Sequence, residues 1–233
     1  MSKTQKNLIK LILFLIFMLV LSVAITDKYY LLISLLFLVA TMVPLYRRFE
    51  NKKIQSREIV FIAVLAAIAA TSRVPFAMIP SVQPTTFVII VSAMVLGSES
   101  GFVIGATSAL VSNMFLGQGP WTPWQMFCWG MIGFTAGLLK DSPILKEMWS
   151  RLVFGFVCGF LFGWIMNLWY VVAYIKPLSW IAFVQAYAAS FYFDLAHALS
   201  NVFFLLLFSA SWLKIIRRFQ KKYGLVDLSK EQL

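Results

Sequence analysis

In a chain of 233 residues, hydrophobic side chains make up 61% and charged ones only 12%, a balance outside that of soluble globular domains. The net charge of +11 would suit a nucleic-acid binder, but all of the 20 basic residues except Lys28, Arg73 and Lys176 fall into clusters between apolar runs, which is a topology signal instead. Each bilayer crossing takes about 20 mostly apolar residues, so there is room for roughly eight helical spans and almost none for a soluble catalytic or nucleotide-binding domain.

The first two spans are predicted at 7–26 and 29–46, forming a hairpin whose tip, Asp27-Lys28, faces outward. The first run is too long for a signal peptide and has no small-residue cleavage site before Asp27, so it reads as a retained anchor. Arg47, Arg48, Lys52, Lys53 and Arg57 then form a basic linker. Composition changes after it, from plain Leu/Ile/Phe helices to spans carrying Gly, Ala, Ser, Asn and Trp. That shift divides the chain into a hairpin with its linker, 1–56, and a functional unit, 57–233.

Within the second unit six spans are predicted, at 58–74, 85–97, 101–116, 124–139, 152–175 and 190–213. The second is short for a crossing and is expected to start inside an outer loop or to be tilted by its neighbours. Segments 75–84, 117–123 and 176–189 fall outside, and 98–100 and 140–151 inside. This puts Lys3, Lys6 and Lys10, the linker, Lys140, Lys146 and Arg151, and the tail residues Lys214, Arg217, Arg218, Lys221, Lys222 and Lys230 on the cytoplasmic side with both termini. Cys128 and Cys158 lie in apolar spans, where free thiols behave as small hydrophobes.

Small residues recur every four positions: Ala63 and Ala67, Ala66 and Ala70, Gly101 and Gly105, Gly133 and Gly137, and Gly155, Gly159 and Gly163. Such spacing lets helix backbones approach closely in lipid. For the glycines this means packing within the bundle. The alanine face either packs inside or meets another membrane subunit.

The loop Gly117-Gln118-Gly119-Pro120-Trp121-Thr122-Pro123-Trp124 combines glycine freedom, proline restriction and two large aromatic surfaces, which suits a shaped lid. An interfacial aromatic anchor accounts for the tryptophans but not for the Gly/Pro framing. Arg73 and Gln83 flank or occupy the partner loop on the same side.

Polar residues inside spans are costly and face a cavity or a partner. Asp194, His197 and Asn201 share one helical face. Asn113 and Asn167 fall toward the outer ends of their spans, with Trp129 and Trp164 as further large candidates. The candidate binding set is therefore Arg73, Gln83, Asn113, Gln118, Trp121, Trp124, Trp129, Trp164, Asn167, Asp194 and His197. No metal site is expected, since His197 has no second His or Cys placed to help. The sequence has no phosphate loop and no zinc-protease or serine-hydrolase motif, so no catalytic residues are assigned. A lone intramembrane acid with a lone His keeps a proton-coupled carrier open, and a purely structural membrane-assembly role is the third reading.

From about Arg57 onward the chain resembles the S components, the substrate-capture subunits of energy-coupling factor (ECF) vitamin importers. The resemblance rests on the hydrophobic six-helix unit, Ala63 and Ala67 near the start of its first helix, and long outer loops before its second and fourth helices. Val82-Gln83-Pro84-Thr85 and the stretch from Gly117 to Met126 are similar to the cobalamin branch. The resemblance implies an all-α integral membrane protein with a six-helix S-component bundle after the two-helix hairpin, sited in the bacterial cell membrane. It implies capture of a vitamin from outside, with a membrane scaffold subunit and two cytoplasmic ATPases as partners. ATP is then used by the ATPases, no cofactor is resident, and cobalamin or a corrinoid precursor is the transported ligand; another vitamin or a queuosine precursor keeps the family and changes the ligand. It also implies that Ala63, Ala66, Ala67 and Ala70 meet the scaffold and that the subunit topples to deliver its ligand. The hairpin is an addition to the minimal pattern.

Overall fold

The computed structural model describes residues 55–177 and 179–224, together with helical positions scattered between Leu36 and Glu50. The expected hairpin lies largely outside the described residues, as does the tail beyond Gly224 that carries Lys230. Among the described residues the structure is helical: α1 (Ser56–Thr71), a 3-10 turn (Val74–Phe76), α2 (Thr85–Leu96), α3 (Ser98–Leu116), α4 (Thr122–Leu138), a four-residue α5 (Pro143–Lys146), α6 (Met148–Tyr174) and α7 (Trp180–Lys222). Among the described residues three segments are long and apolar enough to cross a membrane, Ser56–Phe76, Met148–Tyr174 and Trp180–Lys222.

α2 occupies the centre. Every residue from Thr85 to Val95 is buried, as expected of a helix that is apolar all round and packed on all sides. It contacts α1, α3, α4 and α7. At about 1.5 Å per residue its 12 residues cannot span a hydrocarbon core of about 30 Å, so its ends are enclosed by protein.

The tightest seam joins α3 and α4. A methyl built on Gly105 would overlap the Trp129 carbonyl, and one on Gly133 would overlap the Gly101 carbonyl. The four-residue glycine spacing thus serves backbone-to-backbone contact within the bundle. Gly97, with φ of 91°, turns the chain between α2 and α3 in a conformation that favours glycine. This single joint replaces the inner loop expected at 98–100.

α7 differs most from expectation. The predicted outer loop at 176–189 is helical from Trp180, and the helix continues past 213 to Lys222, 43 residues in all. Its start has a local cause: the Ser179 hydroxyl accepts the Ala182 N–H at 3.1 Å, satisfying one of the free donors of the first turn. Trp180, Phe183 and Tyr187 then stack at 5.5 and 4.3 Å between centroids along one helical face. Likewise α6 begins at Met148, inside the expected inner loop at 140–151.

Candidate functional site

The joints after α1, α3 and α6 lie at one end of the bundle, opposite Gly97 and α5. At this end Arg73, just beyond α1, is a hub. Its Nε donates to Gln83 Oε1 at 2.9 Å, and one terminal nitrogen donates to Ser112 Oγ at 2.6 Å and Asn113 Oδ1 at 3.0 Å. The guanidinium also lies over the Trp129 ring, 4.9 Å from its centroid, a cation–π arrangement.

The network extends on both sides. Asn113 donates from Nδ2 to Thr122 Oγ1 at 3.0 Å and Gln125 Oε1 at 2.7 Å. Thr122 in turn donates to Gln118 Oε1 at 2.9 Å, while Gln118 Nε2 donates to the Leu110 carbonyl at 2.9 Å. The 117–123 loop is thereby fastened to the ends of α3 and α4. On the inner side Trp129 Nε1 donates to Thr86 Oγ1 at 3.1 Å, and Thr86 meets His197 Nε2 at 3.0 Å. Ser200 on α7 bonds both the N–H and the carbonyl of Gln83, at 3.0 and 3.3 Å. Segments from α1 to α4 and α7 thus converge on one polar platform.

Of the predicted residues, Arg73, Gln83, Asn113, Gln118, Trp129 and His197 join this platform directly or through one intermediary. Asp194 and Asn167 form a second cluster between α6 and α7: Ser190 Oγ donates to Asp194 Oδ2 at 3.1 Å, and Asn167 Nδ2 approaches Ser190 Oγ at 2.5 Å and Asp194 Oδ2 at 3.4 Å. Asp194 and His197 share a helix face but engage different partners. Beside this cluster a groove of about 500 Å³ is lined by Asn167, Tyr170, Gln185, Ser190 and Phe193, among others.

The remaining tryptophans separate. Trp124 is buried in an aromatic cluster with Phe102 and Phe127, and Trp121 meets Trp169 edge to face at 5.9 Å. Trp164 is 48% exposed on the outer face of α6, where its backbone carbonyl, not its ring, accepts from the Tyr187 hydroxyl. The structure therefore does not bring Trp164 to either polar cluster.

The alanine face also divides. Ala63 and Ala67 are exposed, whereas Ala66 and Ala70 are buried. The two pairs lie about 60° apart around the helix, so α1 turns Ala66 and Ala70 into the bundle, with the Ala66 carbonyl accepting from Ser108 Oγ at 3.3 Å. Only Ala63 and Ala67 are available to a partner in this packing. Beside them α1 and α7 leave an apolar groove of about 770 Å³ lined by Val60, Val64, Ile68, Trp212, Ile215 and Phe219, among others.

Sequence reading missed Thr86, Ser112, Thr122, Gln125 and Ser200. Ser112 follows Ser108 at helical spacing, Gln125 follows Thr122 by three positions, and Ser200 follows His197 by three. Polar periodicity could have selected them, but hydroxyls in membrane helices commonly satisfy their own helix carbonyls, as Ser108 does with Ile104 at 2.5 Å.

Arranged this way, the chain is a helical membrane protein with a polar platform at one end. The family model for the ECF transporter substrate-specific component matches residues 57–218, well over half of the chain. The chain belongs to this family: it is a substrate-binding subunit of an ECF transporter, a class that works with a membrane scaffold and ATPase subunits. Comparison with curated proteins and with solved structures gave no match.

Proposed function

We propose that this subunit captures cobalamin or a related corrinoid from outside the cell, on the platform built around Arg73. The observation that carries the reading is the state of that guanidinium. Among the described residues it is held by neutral acceptors, Gln83, Ser112 and Asn113, and backed by the Trp129 ring. A cation positioned without a carboxylate keeps its charge available to an anionic ligand group, here the corrinoid phosphate.

The exposed or half-buried amides of Gln83, Gln118 and Gln125 supply both donors and acceptors, while buried Asn113 orients Arg73 and Gln125. A ligand rich in amides needs such partners, because each buried polar group left unpaired costs about 1–3 kcal/mol. Half-buried Trp121 offers flat apolar surface beside the platform, backed edge to face by buried Trp169. His197 has its Nε2 engaged by Thr86, so it serves the platform by hydrogen bonding. In this reading the platform faces outward, the basic end and both termini are cytoplasmic, and the membrane is the bacterial cell membrane. The scaffold docks at Ala63 and Ala67 along the adjoining apolar groove, and toppling delivers the ligand.

Purified chain tested against a vitamin panel decides the ligand, with mass spectrometry identifying any molecule that co-purifies. Saturable corrinoid binding is expected. Tight binding of another vitamin with none for corrinoids would overturn the corrinoid assignment and leave the family role intact.

A further inference from the structure

At the end of the bundle opposite Arg73, the α5–α6 joint meets the last turns of α7 around a cavity of about 480 Å³. Lys146, Arg151, Lys214 and Arg217 line it, with Met148 and Leu213 supplying apolar wall. No Asp or Glu is among the lining residues; Glu147, next in sequence to Lys146, is exposed.

Arg151 distinguishes this cavity from an ordinary basic flank. Its side chain is buried, and its guanidinium is fixed by neutral acceptors: Nε donates to the Leu145 carbonyl at 2.9 Å, and the terminal nitrogens to the Lys146 carbonyl and Ser209 Oγ, both at 3.0 Å. Lys214 and Arg217, three residues apart, present their charges from one face of α7. A topology preference for basic residues explains positive charge at this end. It does not explain a buried arginine and three further cations gathered on one hollow, where Arg217 opposes the Arg151 charge and Glu147 offsets only part of that repulsion.

We propose that this cavity binds a phosphate group, carried by the headgroup of an anionic phospholipid. Phosphate oxygens match arginine donors in geometry and charge, and basic pockets between membrane helices take anionic headgroups. Met148 and Leu213 give an acyl chain an apolar wall beside the headgroup. Trp149, 80% exposed two residues before Arg151, places this turn at the membrane interface, where tryptophan concentrates. The site is independent of the vitamin reading.

The test uses the full chain in detergent, titrated with phosphatidylglycerol, phosphatidylcholine or inorganic phosphate and followed by native mass spectrometry. The double variant Lys214→Gln/Arg217→Gln is compared with Lys221→Gln/Lys222→Gln, which removes equal charge beyond the cavity. The wild type should retain phosphatidylglycerol over phosphatidylcholine, and the cavity variant should weaken this roughly thirtyfold while the control stays near wild type. If inorganic phosphate binds with the same sensitivity to the cavity variant and displaces the lipid, the phosphate site stands with the free ion as its source. Equal weakening in both double variants, or a wild type that neither prefers phosphatidylglycerol nor binds phosphate, would overturn the proposal.

Discussion

The α3–α4 and α6–α7 seams are both lined with glycines at four-residue spacing, yet they are built differently. In the first, glycine meets backbone: Gly105 lies against the Trp129 carbonyl, and Gly101 against Gly133. In the second, Gly159 meets the Ala198 backbone, but Gly155 meets the tip of Leu205 and Gly163 the carboxylate of Asp194. Backbone contacts cannot yield without moving a helix, whereas side chains change rotamer. The Arg73 platform stands on the unyielding seam, while the groove of Asn167 and Ser190 opens on the adaptable one. One sequence pattern thus gives a rigid base under the polar platform beside a wall able to adjust.

The sharpest way to break this contrast is to add bulk to each seam. Gly105→Leu should abolish the folded protein or lower its thermal midpoint severely, since overpacking already costs about 1–3 kcal/mol where neighbours can partly adjust. Gly155→Ala, meeting a flexible leucine end, should shift the midpoint by only a few degrees. Comparable losses in both would remove the distinction.

Next in size, Arg73→Gln should weaken ligand binding about tenfold to a hundredfold by titration, the worth of one or two charge-assisted hydrogen bonds. Stability measured alongside separates lost recognition from lost packing. Ala63→Trp should then leave binding intact while ATP-driven uptake drops several-fold, because Ala63 is exposed and lies ten residues before Arg73, about three helical turns. Unchanged uptake would take this face out of the scaffold contact.

Smaller effects belong to the α6–α7 side. Asp194→Asn keeps an acceptor for Ser190 and should change affinity by less than about fivefold, given a net worth of about 1 kcal/mol for a typical hydrogen bond. If it instead matched Arg73→Gln, the acid would belong to the binding chemistry. Trp164→Ala should leave binding within about twofold, since the half-exposed ring makes none of the hydrogen bonds of either polar cluster.

Much of this arrangement was legible in the residues, and for physical reasons. The span starts near Glu58 and Thr85 follow from long apolar runs, and intramolecular glycine packing follows from four-residue spacing. Arg73, Gln83 and Asn113 were visible because charged and amide groups in apolar surroundings need partners. What stayed hidden was direction. Periodicity puts Ala63 and Ala66 on neighbouring faces, but only the packing of α1 exposes one and buries the other. Trp164 looked like a ligand surface by residue type, while the rotation of α6 turns it outward. The helical start at Trp180 was missed because loop alternation alone placed 176–189 outside, though the Ser179 cap and the aromatic spacing at 180, 183 and 187 were present.

Capture from outside requires the Arg73 platform to face the outer side of the membrane. Cys128 and Cys158 are buried, so Pro120→Cys, at an exposed loop position, can be labelled in intact cells with a membrane-impermeant maleimide against a quiet background. Labelling from outside, slowed by saturating corrinoid, is the expected result. Labelling confined to inside-out vesicles would contradict outward capture at this site.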